Sequence, residues 1–425
     1  MKASEILQKI KSGHFDSAFQ NVYSEKGLKH QKKRAAALAE KYIGLYGDTE
    51  DTIVLTAPGR TEIGGNHTDH NHGLVLAGAV TLDILGIAAP SGNSLARLKS
   101  EHFDEDVADL SVLSPVKAEE GKSVSLIRGM AAQMAASGYQ IGGFTAYTTS
   151  DVLQGSGLSS SAAFEVLTGN IFSHLFNQGK VSAQTIALFS QAAENQFFGK
   201  PCGLMDQMAC SCGGLIAIDF NDPENARVQE ISFDLSSTDY TLCIVDTRGS
   251  HQDLTGEYAA VPAEMKAVAK LMGCDVLRDA SLEKVLNRVS EIREKLGDRA
   301  LLRAIHYFND NERVKKQTAA LENKDIEAFL ALVKESGRSS FMYLQNVYAD
   351  FDNTHQSVSV ALCLSDQVLG NRGAFRVHGG GFAGTIQAYV PFELLDAYQS
   401  AMEALFGKGC CYLLGIRKQG GTRII

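Results

Sequence analysis

The sequence of 425 residues lacks any apolar run long enough to cross a membrane. Its longest apolar stretch, Leu74 to Pro90, is broken by Asp83 and two glycines. A spanning helix needs about 20 continuous apolar residues, so a pair of buried strands is expected here and a membrane partner is not. Residues 1–11 alternate polar and apolar side chains without a continuous apolar core, so no secretion signal is expected and a cytoplasmic location is. A basic excess is also missing. The formal net charge of −9 argues against nucleic acid as a partner. It leaves any polyanionic ligand to local devices: helix N-termini, backbone N–H groups, a metal ion or a single Arg. Eight cysteines show neither zinc-ribbon nor disulfide-scaffold spacing, and buried free thiols in a reducing compartment are expected. Without a secretion signal, the glycosylation sequon Asn66-His67-Thr68 carries no weight. Internal repeats, low-complexity segments and a Pro- or Ser-rich linker are absent as well.

What remains is an ordinary globular profile, with 44% hydrophobic and 21% charged residues. The length exceeds one compact core and predicts two domains. Residues 1–48 read as helical, followed by strands at Ile53–Leu55, Leu74–Val80, Ile84–Ala88 and Gly143–Thr149. Phe164, Leu167, Ile171 and Leu175 share one helical face. A second helix over Ser182–Phe198 is stopped by Gly199 and Pro201. Strands are expected at Leu215–Phe220 and Leu242–Asp246, helices across most of Glu257–Val333, and strands again at Ala374–Val377, Thr385–Val390 and Tyr412–Ile416. The irregular mixture suggests an α+β fold. The least arbitrary boundary falls in the polar stretch Asn221–Arg227, which divides the chain into residues 1–222 and 223–425.

Three segments carry chemistry. Residues 57–73, Ala-Pro-Gly-Arg-Thr-Glu-Ile-Gly-Gly-Asn-His-Thr-Asp-His-Asn-His-Gly, concentrate polar side chains between strands. Such density is costly unless the side chains bind something. The three histidines admit a metal site, although their spacing matches no helical ligand pair. A hydrogen-bonding site for a hydroxyl-rich ligand is the more natural reading, and a polar turn with satisfied side chains is the bland one. Residues 153–163, Leu-Gln-Gly-Ser-Gly-Leu-Ser-Ser-Ser-Ala-Ala, open a helix. Glycines and a helix N-terminus together make a phosphate cradle, although no Walker Lys follows; a plain Ser-capped helix is the alternative. Residues 377–385, Val-His-Gly-Gly-Gly-Phe-Ala-Gly-Thr, suggest backbone packed closely against a site. Two acids stand out, Glu194 late in a helix and Asp206 after a Gly/Pro break. Phosphoryl transfer would use one acid for Mg²⁺ and one to orient or deprotonate a hydroxyl.

In this order and separation the three motifs resemble those of the GHMP kinases, and within that superfamily the galactokinases. The first is similar to the family's G-R-V-N-L-I-G-E-H-T-D-Y-N-x-G signature, and the second to its P-x-G-x-G-L-S-S-S-A-A loop. Residues 193–207 resemble A-E-n-x-F-x-G-x-P-C-G-I-M-D-Q, and Asp246-Thr247 and Glu257-Tyr258 resemble further landmarks. The resemblance covers residues 40–420. It implies a two-domain α+β fold, with an N-terminal phosphate-loop domain, a ferredoxin-like C-terminal domain and a cleft between them. It also implies ATP, Mg²⁺ and a sugar as ligands, in a monomer or weak oligomer. Asp206 would be the acid/base at the sugar C1 hydroxyl, with Arg60 beside it. Gly155, Ser156, Gly157, Leu158, Ser159, Ser160 and Ser161 would wrap the ATP phosphates, and Ser161 and Glu194 would hold Mg²⁺. Asn66, His67, Asp69, Gly203 and Tyr258 would face the sugar, with Asn66 near C6. The chain departs from the pattern at several places. The signature's Glu is Asn66, its Asn is Glu62, its Ile is Gly64 and its Tyr is His70. Ala77 stands for a Pro, Ala383 for a Gly, and the Arg pair after Tyr258 is missing. The residues that would carry the chemistry are intact and galactose is the expected substrate; because part of the sugar shell is altered, a sibling sugar changed at C6 or C2 is the alternative, and a non-catalytic sugar sensor is a third reading.

Overall fold

The computed structural model describes residues 1–152, 157–249 and 254–425. Two helices come first, α1 (Ala3–Ser12) and α2 (Asp16–Tyr46). Next come strands β1 (Ile53–Gly64), β2 (Leu74–Pro90), β3 (Leu95–Ser100) and β4 (Glu105–Asp109), helix α3 (Ser123–Ala136) and strand β5 (Phe144–Ser150). Helices α4 (Ser160–Phe176), α5 (Ala183–Ala193) and α6 (Met205–Cys212) follow, then strands β6 (Leu215–Asp219), β7 (Arg227–Ile231) and β8 (Tyr240–Asp246). Five helices succeed them: α7 (Thr255–Leu271), α8 (Leu282–Leu286), α9 (Val289–Leu296), α10 (Asp298–Glu322) and α11 (Ile326–Ser339). The chain ends with α12 (Ser357–Leu369), β9 (Ala374–Val377), β10 (Thr385–Pro391), α13 (Leu395–Phe406), β11 (Cys411–Leu414) and β12 (Thr422–Arg423).

The strands form two sheets in an α+β architecture. The larger runs β12-β1-β2-β5-β3-β4, with β6 on the free half of β2 and β7 beyond it. The smaller is antiparallel, β11-β8-β10-β9. β2 organises the larger sheet. It pairs with β1 along its length, with β6 through Leu74–Gly78 and with β5 through Ile84–Pro90. Its side chains alternate between two cores. Leu85, Ile87 and Ala89 pack beneath α1 and α2, while Ile84 and Ala88 face the main core with residues of α3 and α4. Covering both faces explains why this stretch is nearly continuous in apolar residues. In the smaller sheet Leu242 and Ile244 face the main core and α11, whereas Cys243 and Val245 pack with α12 and α13.

Residues 74–90 form one strand instead of the expected pair, because Asp83 does not interrupt it. Its carboxylate is fully buried and accepts from Arg34 at 2.5 Å, Tyr23 at 2.6 Å and Arg417 at 2.9 Å, so its charge is matched inside. Strands β3, β4, β7 and β12 were not anticipated. They lie toward the sheet margins and bury few side chains, which leaves little alternation to read. β7 and β12 also carry chain beyond residue 222 into the larger sheet.

Candidate active site

The first motif occupies the second half of β1 and the turn after it, instead of beginning past a short strand. The β1–β2 register shifts between Pro58 and Arg60, and such a bulge re-aims the next side chain. Gly59 makes it possible, since a Cβ there would lie 2.7 Å from the Leu158 carbonyl oxygen. The Arg60 backbone N–H donates to that same oxygen at 3.0 Å. The strand and the serine-rich loop are thus locked edge to edge.

Arg60 then reaches Asp206 in the first turn of α6. Its Nε and Nη2 donate to the two carboxylate oxygens at 2.6 Å each, a bidentate pair, and Nη1 donates to the Gly157 carbonyl. The Arg60 side chain is 9% exposed and that of Asp206 29%, so the carboxylate retains an open side. Ser159 completes the group. It stands before α4 in the left-handed region (φ 59), makes no capping bond, and donates its hydroxyl to Asp206 Oδ2 at 2.6 Å. The plain Ser-cap alternative therefore does not describe this residue. Burial works to raise the Asp206 pKa, but Arg60 and Ser159 outweigh it and hold the carboxyl below its usual 3.8.

The third motif closes on the first. His378 sits between the Thr61 hydroxyl (3.1 Å) and the Thr385 hydroxyl (3.0 Å); burial, then Arg60, keeps it neutral well below its usual pKa. His67 Nε2–H donates to the Gly380 carbonyl at 2.9 Å and the Tyr258 hydroxyl to that of Gly381 at 3.0 Å. Burial, then His70, pushes the His67 pKa down to about 4, and burial raises that of Tyr258 to about 12. Asp69 lies against Gly203, where a Cβ would stand 2.0 Å from Asp69 Oδ2. Any side chain at 203 would push the Asp69 carboxylate out of this position.

Asn66 departs from expectation. It is 1% exposed and its side chain is saturated by protein. Nδ2 donates to Glu62 at 3.0 Å and to the Gly379 carbonyl at 2.7 Å, while Oδ1 accepts from Asn346 at 2.8 Å and Ser340 at 3.2 Å. An amide has two hydrogens and two lone pairs, so Asn66 keeps nothing for a sugar hydroxyl. The reason lies next to it. Glu62, 4% exposed and ion-paired to buried Arg376 at 2.6 Å, draws the amide inward.

On the other side of Asp206 lie more acids. α5 passes into a π-turn, Glu194–Phe198, ended by Gly199. Glu194, 3% exposed, accepts from Gln207 Nε2 at 2.8 Å and meets Lys200 at 3.3 Å. Fully buried Glu165 also accepts from Gln207, at 3.2 Å. Burial and then the Glu194 charge raise the Glu165 pKa well above the carboxylate range. Ser161 is half-buried on the first turn of α4, one turn from Glu165 on the same face. Of the expected phosphate loop, Gly157 to Ser161 adjoin this site, whereas Gly155 and Ser156 lie outside the described residues. Sequence reasoning missed Glu165, Gln207, His378 and Arg376 as members of the site. The four-residue spacing of Ser161 and Glu165 was the one available signal for Glu165. Among the described residues no three His, Cys, Asp or Glu side chains are grouped so as to hold a metal ion, and His67 gives its Nε2–H to the Gly380 carbonyl.

Family comparison agrees with this geometry. Residues 125–214 match the GHMP kinases N terminal domain, and residues 40–90 the galactokinase galactose-binding signature. A galactokinase of Streptomyces coelicolor is 31% identical over 377 residues, covering 88% of this chain and 93% of the relative. One of Glaesserella parasuis is 32% identical over 356 residues, covering 83% and 88%. The crystal structure of Lactococcus lactis galactokinase complexed with galactose superposes with a TM-score of 0.78 at 25% identity, covering 91% of this chain and 99% of that one. With relatives above 30% identity matched over nearly their whole length, and with its motifs gathered about one Arg–Asp pair, the chain belongs to the galactokinase family of the GHMP kinases.

Proposed function

We propose that the protein transfers the γ-phosphoryl group of ATP to the C1 hydroxyl of galactose, yielding galactose 1-phosphate and ADP. The observation that carries this reading is the Arg60–Asp206–Ser159 constellation beside the serine-rich loop at the start of α4. The C1 oxygen attacks the γ-phosphorus, the bond to the β,γ-bridging oxygen breaks, and the hydroxyl proton passes to Asp206. An ionised carboxylate with a depressed pKa is a weak base. Asp206 therefore orients the hydroxyl first and accepts its proton late, as a loose transition state requires. Arg60 holds Asp206 in register and supplies positive charge beside the transferring group. Gly157 to Ser161, at the N-terminus of α4, bind phosphate oxygens through backbone N–H groups. His67, Asp69, Gly203 and Tyr258 make the sugar-facing wall, and Asn66 supports that wall from behind.

The residues around Glu194 fit Mg²⁺. Their donors are oxygens, and two buried acids share one amide while only Glu194 meets a Lys, whose side chain is 63% exposed, so the pocket disfavours a second negative charge until a cation enters it. Ser161 and Glu194 would hold the ion, which when bound neutralises phosphate charge. The test is an ATP-consumption screen over galactose, galactosamine, N-acetylgalactosamine, galacturonate, arabinose, fucose and mevalonate, with phosphorus NMR of the product. Galactose should give the highest kcat/KM and a 1-phosphate. No turnover with any sugar, or a clear preference for another, would overturn the assignment.

A further inference from the structure

The amide of Gln207 links two elements that the proposed reaction does not otherwise connect. Its Nε2 carries two hydrogens. One goes to Glu194 Oε2 on the π-turn at 2.8 Å, the other to Glu165 Oε2 on α4 at 3.2 Å, with Cys202 Sγ, a weaker acceptor, at 3.6 Å from the same nitrogen. Facing two carboxylates, the amide must present nitrogen and not oxygen, since the reverse orientation would set three acceptors together. Glu165 is completely buried, its Oε1 has no partner among the described residues, and among those residues no Lys, Arg or His forms an ion pair with it, Lys200 pairing with Glu194 instead. A buried carboxylate so poorly compensated is destabilising by itself. A surface acid or a helix cap would not account for it.

We infer that Glu165 is a positioning residue of the metal site: by accepting one hydrogen of the Gln207 amide it fixes the other on Glu194 Oε2, and so sets which Glu194 oxygen is left for the cation. This rests on the reading that Glu194 holds Mg²⁺. Glu165 lies one helical turn beyond Ser161 on α4, so one helix would present a ligand and brace the opposite ligand through Gln207. Outer-shell partners of this kind change metal affinity by about 10–100-fold when removed.

The experiment titrates Mn²⁺ by electron paramagnetic resonance in the presence of ADP, and measures galactose affinity by calorimetry on the same proteins. Glu165→Met removes the acceptor at similar volume, Gln207→Met removes the bridge, and Glu165→Gln retains an acceptor oxygen but cannot ionise. Glu165→Met and Gln207→Met should each weaken Mn²⁺ binding by about 10–100-fold, Glu165→Gln by less, with galactose affinity unchanged. Glu194→Gln is the reference. If it shifts the Mn²⁺ titration while Glu165→Met and Gln207→Met do not, this inference falls and the metal assignment stands. If Glu194→Gln shifts nothing, the metal assignment itself fails, and this inference with it. Should Glu165→Met not fold, Gln207→Met interrogates the same bridge from α6, and a wild-type titration there overturns the inference equally.

Discussion

Replacing Asp206 by Asn separates the chemistry of the Arg–Asp pair from its structural role. The wild-type carboxylate accepts three hydrogen bonds at 2.6 Å, two from Arg60 and one from Ser159. Asn can accept on one oxygen only, and its NH₂ would point at the N–H groups of Arg60. The guanidinium, 9% exposed, would then keep its charge with neutral acceptors alone, the Gly157 carbonyl and at most one amide oxygen. Breaking a fully buried pair costs about 3–5 kcal/mol. Water reaches Asp206, whose side chain is 29% exposed, so a loss near the lower end, about 3 kcal/mol, is expected. Turnover should fall further than stability accounts for. A positioned general base contributes about 10²- to 10⁴-fold, and a depressed pKa places the pure proton-transfer share near the lower figure. Urea denaturation and an ADP-release assay would be run on Asp206→Asn and on the double variant Arg60→Met/Asp206→Asn. The double variant removes the stranded charge, so it should regain stability without regaining activity. Near-normal turnover in Asp206→Asn would refute the catalytic assignment. A double variant no more stable than the single one would refute the electrostatic account of the pair.

Two more outcomes follow from the first motif. His67 has a folded-state pKa of about 4 against an ordinary 6.5; the unfolded chain takes up a proton below pH 6.5 while the folded one stays neutral, so the stability from neutral His67 is fully present above pH 6.5 and lost as pH falls toward 4. Urea midpoints measured at pH 7 and pH 5 should therefore converge in His67→Gln relative to wild type, and equal pH slopes would rule this out. Asn66→Glu should destabilise strongly, because it buries a second carboxylate about 3 Å from Glu62. Adding Glu62→Asn, which exchanges the two residues, should recover part of that loss by a coupling of about 0.5–3 kcal/mol, with no change in the kcat/KM ratio of galactose to its 6-deoxy analogue in whichever variants fold; strict additivity of the two substitutions, or a changed ratio, would count against an Asn66 turned wholly inward.

What could be read in the chain divides along a physical line. Features set by local chemistry were legible. Gly199 ends the Glu194 turn in the left-handed region, as its place before Pro201 suggests. The Gly- and Ser-rich segment opens α4, and the cysteines are free, although only Cys210, Cys243 and Cys410 are buried and Cys363 is exposed. Long helices and well-buried strands announced themselves by periodicity. Marginal strands did not, since β4 and β7 each bury a single side chain and derive their order from a neighbour's backbone. Asp83 misled for a related reason. A charge inside an apolar run signals a break only if nothing answers it, and its partners Arg34 and Arg417 lie 49 and 334 residues away.

The same reasoning applies inside the site. Arg60, Asp206 and Ser159 act on one another across 146 and 47 residues, yet each stands in a motif whose backbone demands are local: a bulge, a helix start, a left-handed Ser. Those demands were visible, and family resemblance supplied the pairing. Asn66 shows the reverse case. Its type and position suggested a ligand contact, but whether an amide faces ligand or protein is decided by what competes for its four hydrogen-bonding positions. Here Glu62, Gly379, Asn346 and Ser340 take all of them, and three of these lie more than 270 residues away. The exchange of acid and amide between positions 62 and 66 therefore moves a negative charge from the turn after β1 back into the strand, from the expected ligand side onto buried Arg376. Since that charge is neutralised inside the protein, these departures from the family signature change how the turn after β1 is braced, while Arg60, Asp206 and Ser159 to Ser161 keep the residue types of the family motifs.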